Sequence, residues 1–195
     1  MTRILLLLLC VFFTNIAVGQ DKEFPSSTPE KINFTKYPLP KRLSLFPFSK
    51  ATHVKLVSFP EQKDTANKRG EPEYGLPILN DTICFQKIDQ IKALTLSQID
   101  TLTDILYNTC HRWTIYEYSQ AACYLPHNAI IFYDKDDKPF EYIEICFDCH
   151  GLEFSSPKIE KFELCDYTYT DLKKFFKSLG LKTGVDEFQV LPGSK

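Results

Sequence analysis

The chain lacks the signatures that most directly announce an activity. It has no glycine-rich phosphate loop, no nucleophile elbow and no acidic cluster spaced for a metal. P-loop nucleotide chemistry and elbow-type serine hydrolysis therefore have no sequence support. There is no internal repeat to suggest a solenoid or propeller. Charge of one sign is also missing. With 23 basic and 25 acidic residues the formal net charge is −2, which leaves no electrostatic footprint for nucleic acid or an anionic membrane. After residue 13 no apolar run approaches the roughly 20 residues that span a bilayer. Met1 is the only methionine, so no thioether is available further along as a metal ligand.

What is present begins with an export signal. Arg3 precedes the apolar run ILLLLLCVFF over residues 4–13, and Ala17 and Gly19 supply small residues ahead of Gln20. This is the layout of a cleavable secretory signal peptide over residues 1–19. Leu8 and Leu9 before Cys10 do not fit a lipobox, which needs small residues there. Removing the leader leaves about 176 residues, enough for one domain with its own core. Aromatic residues make up 14% of the chain, which argues against disorder throughout.

Residues 20–50 contain Pro25, Pro29, Pro38, Pro40 and Pro47 and are expected to be extended rather than regular. A single domain is expected over 51–182, followed by a loose tail over 183–195. Residues 52–59 (THVKLVSF) predict a first strand, residues 60–76 a long exposed loop, and residues 80–87 a short strand. Thr95 and Gln98 form a capping box for a helix whose apolar stripe is Leu96, Ile99, Leu102, Ile105 and Leu106. AIIFY at 129–133 and FEYIEICF at 140–147 predict a hairpin around the turn 134–138. In its second strand Ile143, Ile145 and Phe147 share one face, and Tyr142, Glu144 and Cys146 the other. Residues 162–166 suggest another strand. A last helix is expected from a Thr170 cap to Gly180, with Leu172, Phe175, Phe176 and Leu179 as its stripe. The fold class is α+β, an antiparallel sheet with a central hairpin and two helices.

Six cysteines lie beyond the leader: Cys84, Cys110, Cys123, Cys146, Cys149 and Cys165. Three disulfides are possible in 15 connectivities. Cys146-Phe147-Asp148-Cys149-His150 reads literally as C-x-x-C-H, the attachment pattern of haem c, with Cys146 and Cys149 as thioether sulfurs and His150 as iron ligand. The motif ends a strand, and a distal ligand would have to come from His53, His111 or His127. A C-x-x-C pair also suits thiol–disulfide exchange through Cys146 and Cys149, although no helix is predicted after it to lower a thiol pKa. Zinc is a further alternative, with Cys123 and His127 joining Cys146, Cys149 and His150. The bland alternative is structural. Cys123, Cys146 and Cys149 flank the two hairpin strands and can bridge the sheet, while Cys84, Cys110 and Cys165 bridge or pack as small apolar groups. Glu144, inside an apolar run, is a candidate general acid–base group or an ordinary paired surface carboxylate. Asn33 and Asn80 head glycosylation sequons, which matter only in a eukaryotic host.

Cys123-Tyr124-x-Pro126, residues 128–134 (NAIIFYD) and residues 142–149 (YIEICFxC) resemble the hairpin motif of a family of uncharacterised exported proteins of Bacteroidota. Residues 45–59 and 102–108 are similar as well. The resemblance implies a Gram-negative cell and the periplasm, outer surface or medium. It also implies that neither His127 nor His150 is a family feature, and it brings no activity. The expectation is thus an exported, non-catalytic binding module with a structural cysteine cluster, no cofactor, and an unknown protein or small ligand as partner. A thiol–disulfide oxidoreductase and a haem or zinc protein are the alternatives.

Overall fold

The structure is a computed structural model and describes residues 35–66, 72–112, 118–121 and 124–186. The expected leader, the first part of the proline-rich segment, the last residues of the tail and Cys123 lie outside the described residues. The fold is α+β. Strand β1 (His53–Ser58), β6 (Gln90–Ala93), β7 (Asn128–Tyr133), β8 (Pro139–Cys146) and β9 (Gly151–Phe154) form one antiparallel sheet in the order β6-β1-β7-β8-β9. Its middle strand, β7, is buried at all six positions. That explains why residues 129–133 read as an unbroken apolar run instead of an alternating one.

Alternation on the neighbouring strands sorts the two faces. Val54, Leu56, Ile130, Phe132, Ile143 and Ile145 point to one side. There they meet α2 (Leu96–Asn108) and α3 (Asp166–Ser178) through Leu102, Ile105, Leu106, Leu172, Phe175 and Phe176. Each such side chain contributes about 1.5–3 kcal/mol when fully buried. On the other face Val57, Phe59, Ala129, Ile131 and Tyr133 lie under Leu76, Ile83 and the half-buried Phe85 and Ile88. The expected face assignment of β8 holds, with Ile143, Ile145 and Phe147 in the helical core.

The α2 capping box forms as expected. Thr95 Oγ1 accepts the Gln98 N–H at 3.3 Å, and Gln98 Oε1 accepts the Thr95 N–H at 2.9 Å. Leu96, however, is 80% exposed, so the buried stripe starts a turn later. Gly180, at φ +84, ends α3 by donating to Lys177 O while Leu181 N donates to Phe176 O.

Several expectations are corrected. The proline-rich segment contains a short helix, α1 (Leu39–Leu43), because Pro40 occupies its first turn, where a missing N–H costs nothing. Phe48 joins the main core, so the packed domain begins before residue 51. Within the expected loop over 60–76, β2 (Gln62–Ala66) pairs with β3 (Pro72–Glu73). Residues 78–83 make a tight hairpin of β4 (Ile78–Leu79) and β5 (Thr82–Ile83), turning through positive φ at Asn80 and Asp81. Residues 162–165 form no strand. Helix α3 starts five residues before its expected start, with Cys165 in extended conformation at its N-cap. Val185 is buried in the core, so the packed domain extends past 182.

α1 is fastened by Arg42, a buried guanidinium. It donates to Thr103 Oγ1 at 3.1 Å and to Tyr37 O at 2.8 Å, and pairs with Asp100 and Asp104 of α2. Such a charge is tolerated inside only when paired and fully hydrogen-bonded. Among the described residues no helix is long and apolar enough to cross a membrane.

Candidate functional site: the disulfide turn between β8 and β9

β8 ends at Cys146 and β9 begins at Gly151, directly opposite it. Residues 147–150 make the turn between them. Cys146 and Cys149 are joined by a disulfide across this turn, with Cα atoms 5.2 Å apart, and both residues are 2% exposed. The chain leaves the turn through His150 in the left-handed region, φ +48, a conformation that His tolerates better than most residues. The C-x-x-C thus belongs to a strand–turn–strand, away from any helix N-terminus.

The turn is a docking point for residues 118–121 and 124–125. Cys149 O accepts the Ala121 N–H at 3.0 Å, Cys149 Sγ lies 3.4 Å from the donating Leu125 N, and His150 O accepts from the Tyr118 hydroxyl at 3.2 Å. The Tyr124 ring lies against Gly151. A Cβ added there would sit 2.8 Å from Tyr124 Cδ2, so a glycine is needed for this approach.

His150 is held on two sides. Its ring stacks on Tyr169, with centroids 4.9 Å apart and planes within 5°. Nδ1 lies 2.9 Å from Asp166 Oδ1. An N–H at Nδ1 donating to this carboxylate leaves Nε2 as the acceptor of the neutral ring. Asp166 also accepts the Ser119 N–H at 3.1 Å and the Ser119 hydroxyl at 3.2 Å. Chiefly the Ser119 N–H, and then His150, hold its carboxyl below the usual range against the opposing pull of burial. Burial, above all, pushes the Tyr124 and Tyr169 hydroxyls well above their ordinary value, so both remain protonated.

Asp166 is the first residue of α3, and the residue before it, Cys165, is bridged to Cys110 just after α2. These two Cα atoms are 5.7 Å apart. The two disulfides therefore meet through the step Cys165–Asp166–His150–Cys149. Cys84 is the one free cysteine among the described residues, half-buried with its thiol 3.4 Å from Gln86 Oε1.

These positions redraw the candidate chemistry. The expected bridge from Cys123 to Cys146 or Cys149 is not the pairing seen, since Cys146 and Cys149 bond each other, and Cys123 lies outside the described residues. In that state the two sulfurs carry no thiolate for zinc and no free thiol for haem attachment. His127 Nδ1 lies 3.1 Å from Phe59 O. No group of three or more His, Cys, Asp or Glu among the described residues is arranged to hold a metal.

Glu144 lies on the face of β8 opposite the helices and directly across from Glu153. Its carboxylate accepts the Leu76 N–H, and Gly75, at φ +118, lets the backbone pass over it. Burial, with Glu153 adding repulsion, pushes Glu144 above the usual carboxylate range, while the Leu76 N–H works the other way. The candidate acid–base residue is thus a half-buried anchor for the 75–76 loop. Asp166, Tyr118, Tyr124 and Tyr169 went unforeseen, because side chains 16 or more residues from the turn carry no periodic signal linking them to it. The one available hint was a C-x-x-C followed by glycine and no helical pattern. Compared with known proteins, the chain matches no family model, no curated protein and no solved structure.

Proposed function

We propose that this protein is an exported, non-catalytic binding module whose C-x-x-C is a structural brace. One observation carries the reading: Cys146 and Cys149 are buried and joined across a β-turn that holds Tyr118, Ala121 and Leu125 in place. Exchange catalysts need the opposite, an accessible thiolate stabilised by a helix N-terminus or a nearby cation. A pair of disulfides also suits an oxidising compartment. Together with the leader-like residues 1–19, this supports cleavage before Gln20 and a location in the periplasm, at the outer surface or in the medium. Kinship with the Bacteroidota family belongs to the same proposal and rests on the hairpin motif.

The test is redox titration of the purified protein in glutathione buffers, with alkylation of native and denatured samples read by intact mass, beside an insulin-reduction assay and a visible spectrum. The expected result is a start at Gln20, no Soret band, no insulin turnover, and alkylation of Cys146 and Cys149 only after unfolding and reduction. Native alkylation of Cys146 that follows the buffer potential, with turnover of insulin, would overturn the reading in favour of an oxidoreductase.

A further inference from the structure

The β4–β5 hairpin and the start of β8 border one concavity of about 340 Å³. That is the small end of the range for small-molecule sites. Ile78, Ile83, Pro139 and Phe140 give it apolar lining, and Ile78 is 41% exposed, so apolar surface stands open there. Two charges of opposite sign line the same hollow: Asp81 on the hairpin turn and Lys138 beside Pro139. Among the described residues neither forms an ion pair, with the other or with any further side chain. Asp134, whose carboxyl feels the charge of Lys138, lies beyond that distance and outside this lining. The remaining polar groups of the lining leave these two charges unmatched. Glu141, 9% exposed, accepts the hydroxyls of Ser155 and of Ser156, the latter at 2.9 Å. The Thr82 hydroxyl donates to Asn80 O at 3.3 Å. Tyr142, its pKa raised chiefly by burial, remains an uncharged phenol. The hollow thus offers one free acid and one free base, on two different elements, beside apolar surface.

We propose that this concavity binds a small zwitterion, an α-amino acid with an aliphatic side chain. The ligand's ammonium pairs with Asp81, its carboxylate with Lys138, and its hydrocarbon covers Ile78 and Phe140. Charge complementarity selects the class. An ammonium only donates hydrogen bonds and a carboxylate only accepts them, so each end of the ligand has one partner of the right kind. A simple carboxylic acid or a simple amine meets one of the two charges and leaves the other without a counterion. The proposal extends the binding-module reading by naming a ligand class and rests on that reading for its biological sense. Its chemistry does not involve the cysteines.

The experiment titrates L-leucine into the full chain and follows amide chemical shifts. Two further probes are titrated separately: 4-methylpentanoate, which is leucine without its amine, and 3-methylbutylamine, which is leucine without its carboxylate. Leucine is expected to bind saturably, with shifts centred on Ile78, Asp81 and Phe140. Each analogue is expected to bind about threefold more weakly, the size of one exposed ion pair. The charge variants are expected to cross. Asp81→Asn weakens leucine and the amine about threefold and leaves 4-methylpentanoate unchanged, whereas Lys138→Gln weakens leucine and 4-methylpentanoate and leaves the amine unchanged. Asn suits the positive φ of residue 81, and Lys138 is tied to Asp134 through its backbone N–H, so both variants keep their turns. Ile78→Thr is expected to weaken all three probes alike. Equal binding of the three probes, charge variants that do not cross, or shifts spread without saturation would each overturn the proposal. Failure here leaves the binding-module reading standing, whereas insulin turnover through Cys146 overturns that reading and leaves this site untouched.

Discussion

The Cys110–Cys165 bridge closes a span of 55 residues, and the Cys146–Cys149 bridge a span of three. The chemistry is the same and the physical consequence is not. The long bridge ties the end of α2 to the start of α3 and removes many conformations from the unfolded chain. The short one removes few, and its effect is on a single turn and on the stretch docked there. One is global and thermodynamic, the other local and positional.

The comparison is broken most directly by deleting each bridge. Loop-closure entropy predicts that Cys110→Ala/Cys165→Ala costs about 4 kcal/mol and Cys146→Ala/Cys149→Ala about 2 kcal/mol. Urea unfolding of both double variants measures this, and a reversed order would sink the contrast. The short-bridge variant is also expected to expose the Ala121 amide, which donates to Cys149 O, to hydrogen exchange while the amides of α2 stay protected. Loss of protection throughout α2 would mean that the short bridge is not local.

Gly151→Ala sharpens the local side without touching a sulfur. The added methyl meets the Tyr124 ring. Overpacking of this kind costs about 1–3 kcal/mol. Calorimetry checks the cost, and the Tyr124 ring resonances should shift more than those of α2.

The smallest expected effects concern two carboxyls of opposite tendency. Asp166, which links the two bridges, has its folded pKa lowered. It contributes stability that is fully present above its unfolded value, near pH 4, and that is lost as pH falls through the folded value. Asp166→Asn should therefore flatten the acid limb of the stability profile. Glu144 has its folded pKa raised. It costs stability once pH rises from its unfolded value through the folded one, so Glu144→Gln should raise the melting temperature slightly at pH 7 and not at pH 3. Thermal scans across that range check both signs.

How legible all this was depended on the range of the interaction. Thr95 and Gln98 are three residues apart, and their reciprocal cap was readable in advance. So were the run of β7 and the glycine stop at Gly180. The start of α3 was not, because Thr170 is the better intrinsic cap. Cys165 takes that place instead, held by a partner 55 residues away. The disulfide turn was visible as a motif but not as a pairing, since C-x-x-C spacing is equally compatible with iron, zinc, exchange and closure. The His150–Asp166 contact and the Arg42 cluster join residues with no common periodicity, so only the folded chain brings them together.

Arg42 also bears on how far the chain can be trimmed. Its two carboxylate partners, Asp100 and Asp104, sit one turn apart on α2. A protein shortened to residue 51 onward would keep both acids, lose the guanidinium between them, and open the space that Phe48 fills. A stable fragment therefore keeps the residues from Tyr37, whose backbone closes over Arg42, through Val185.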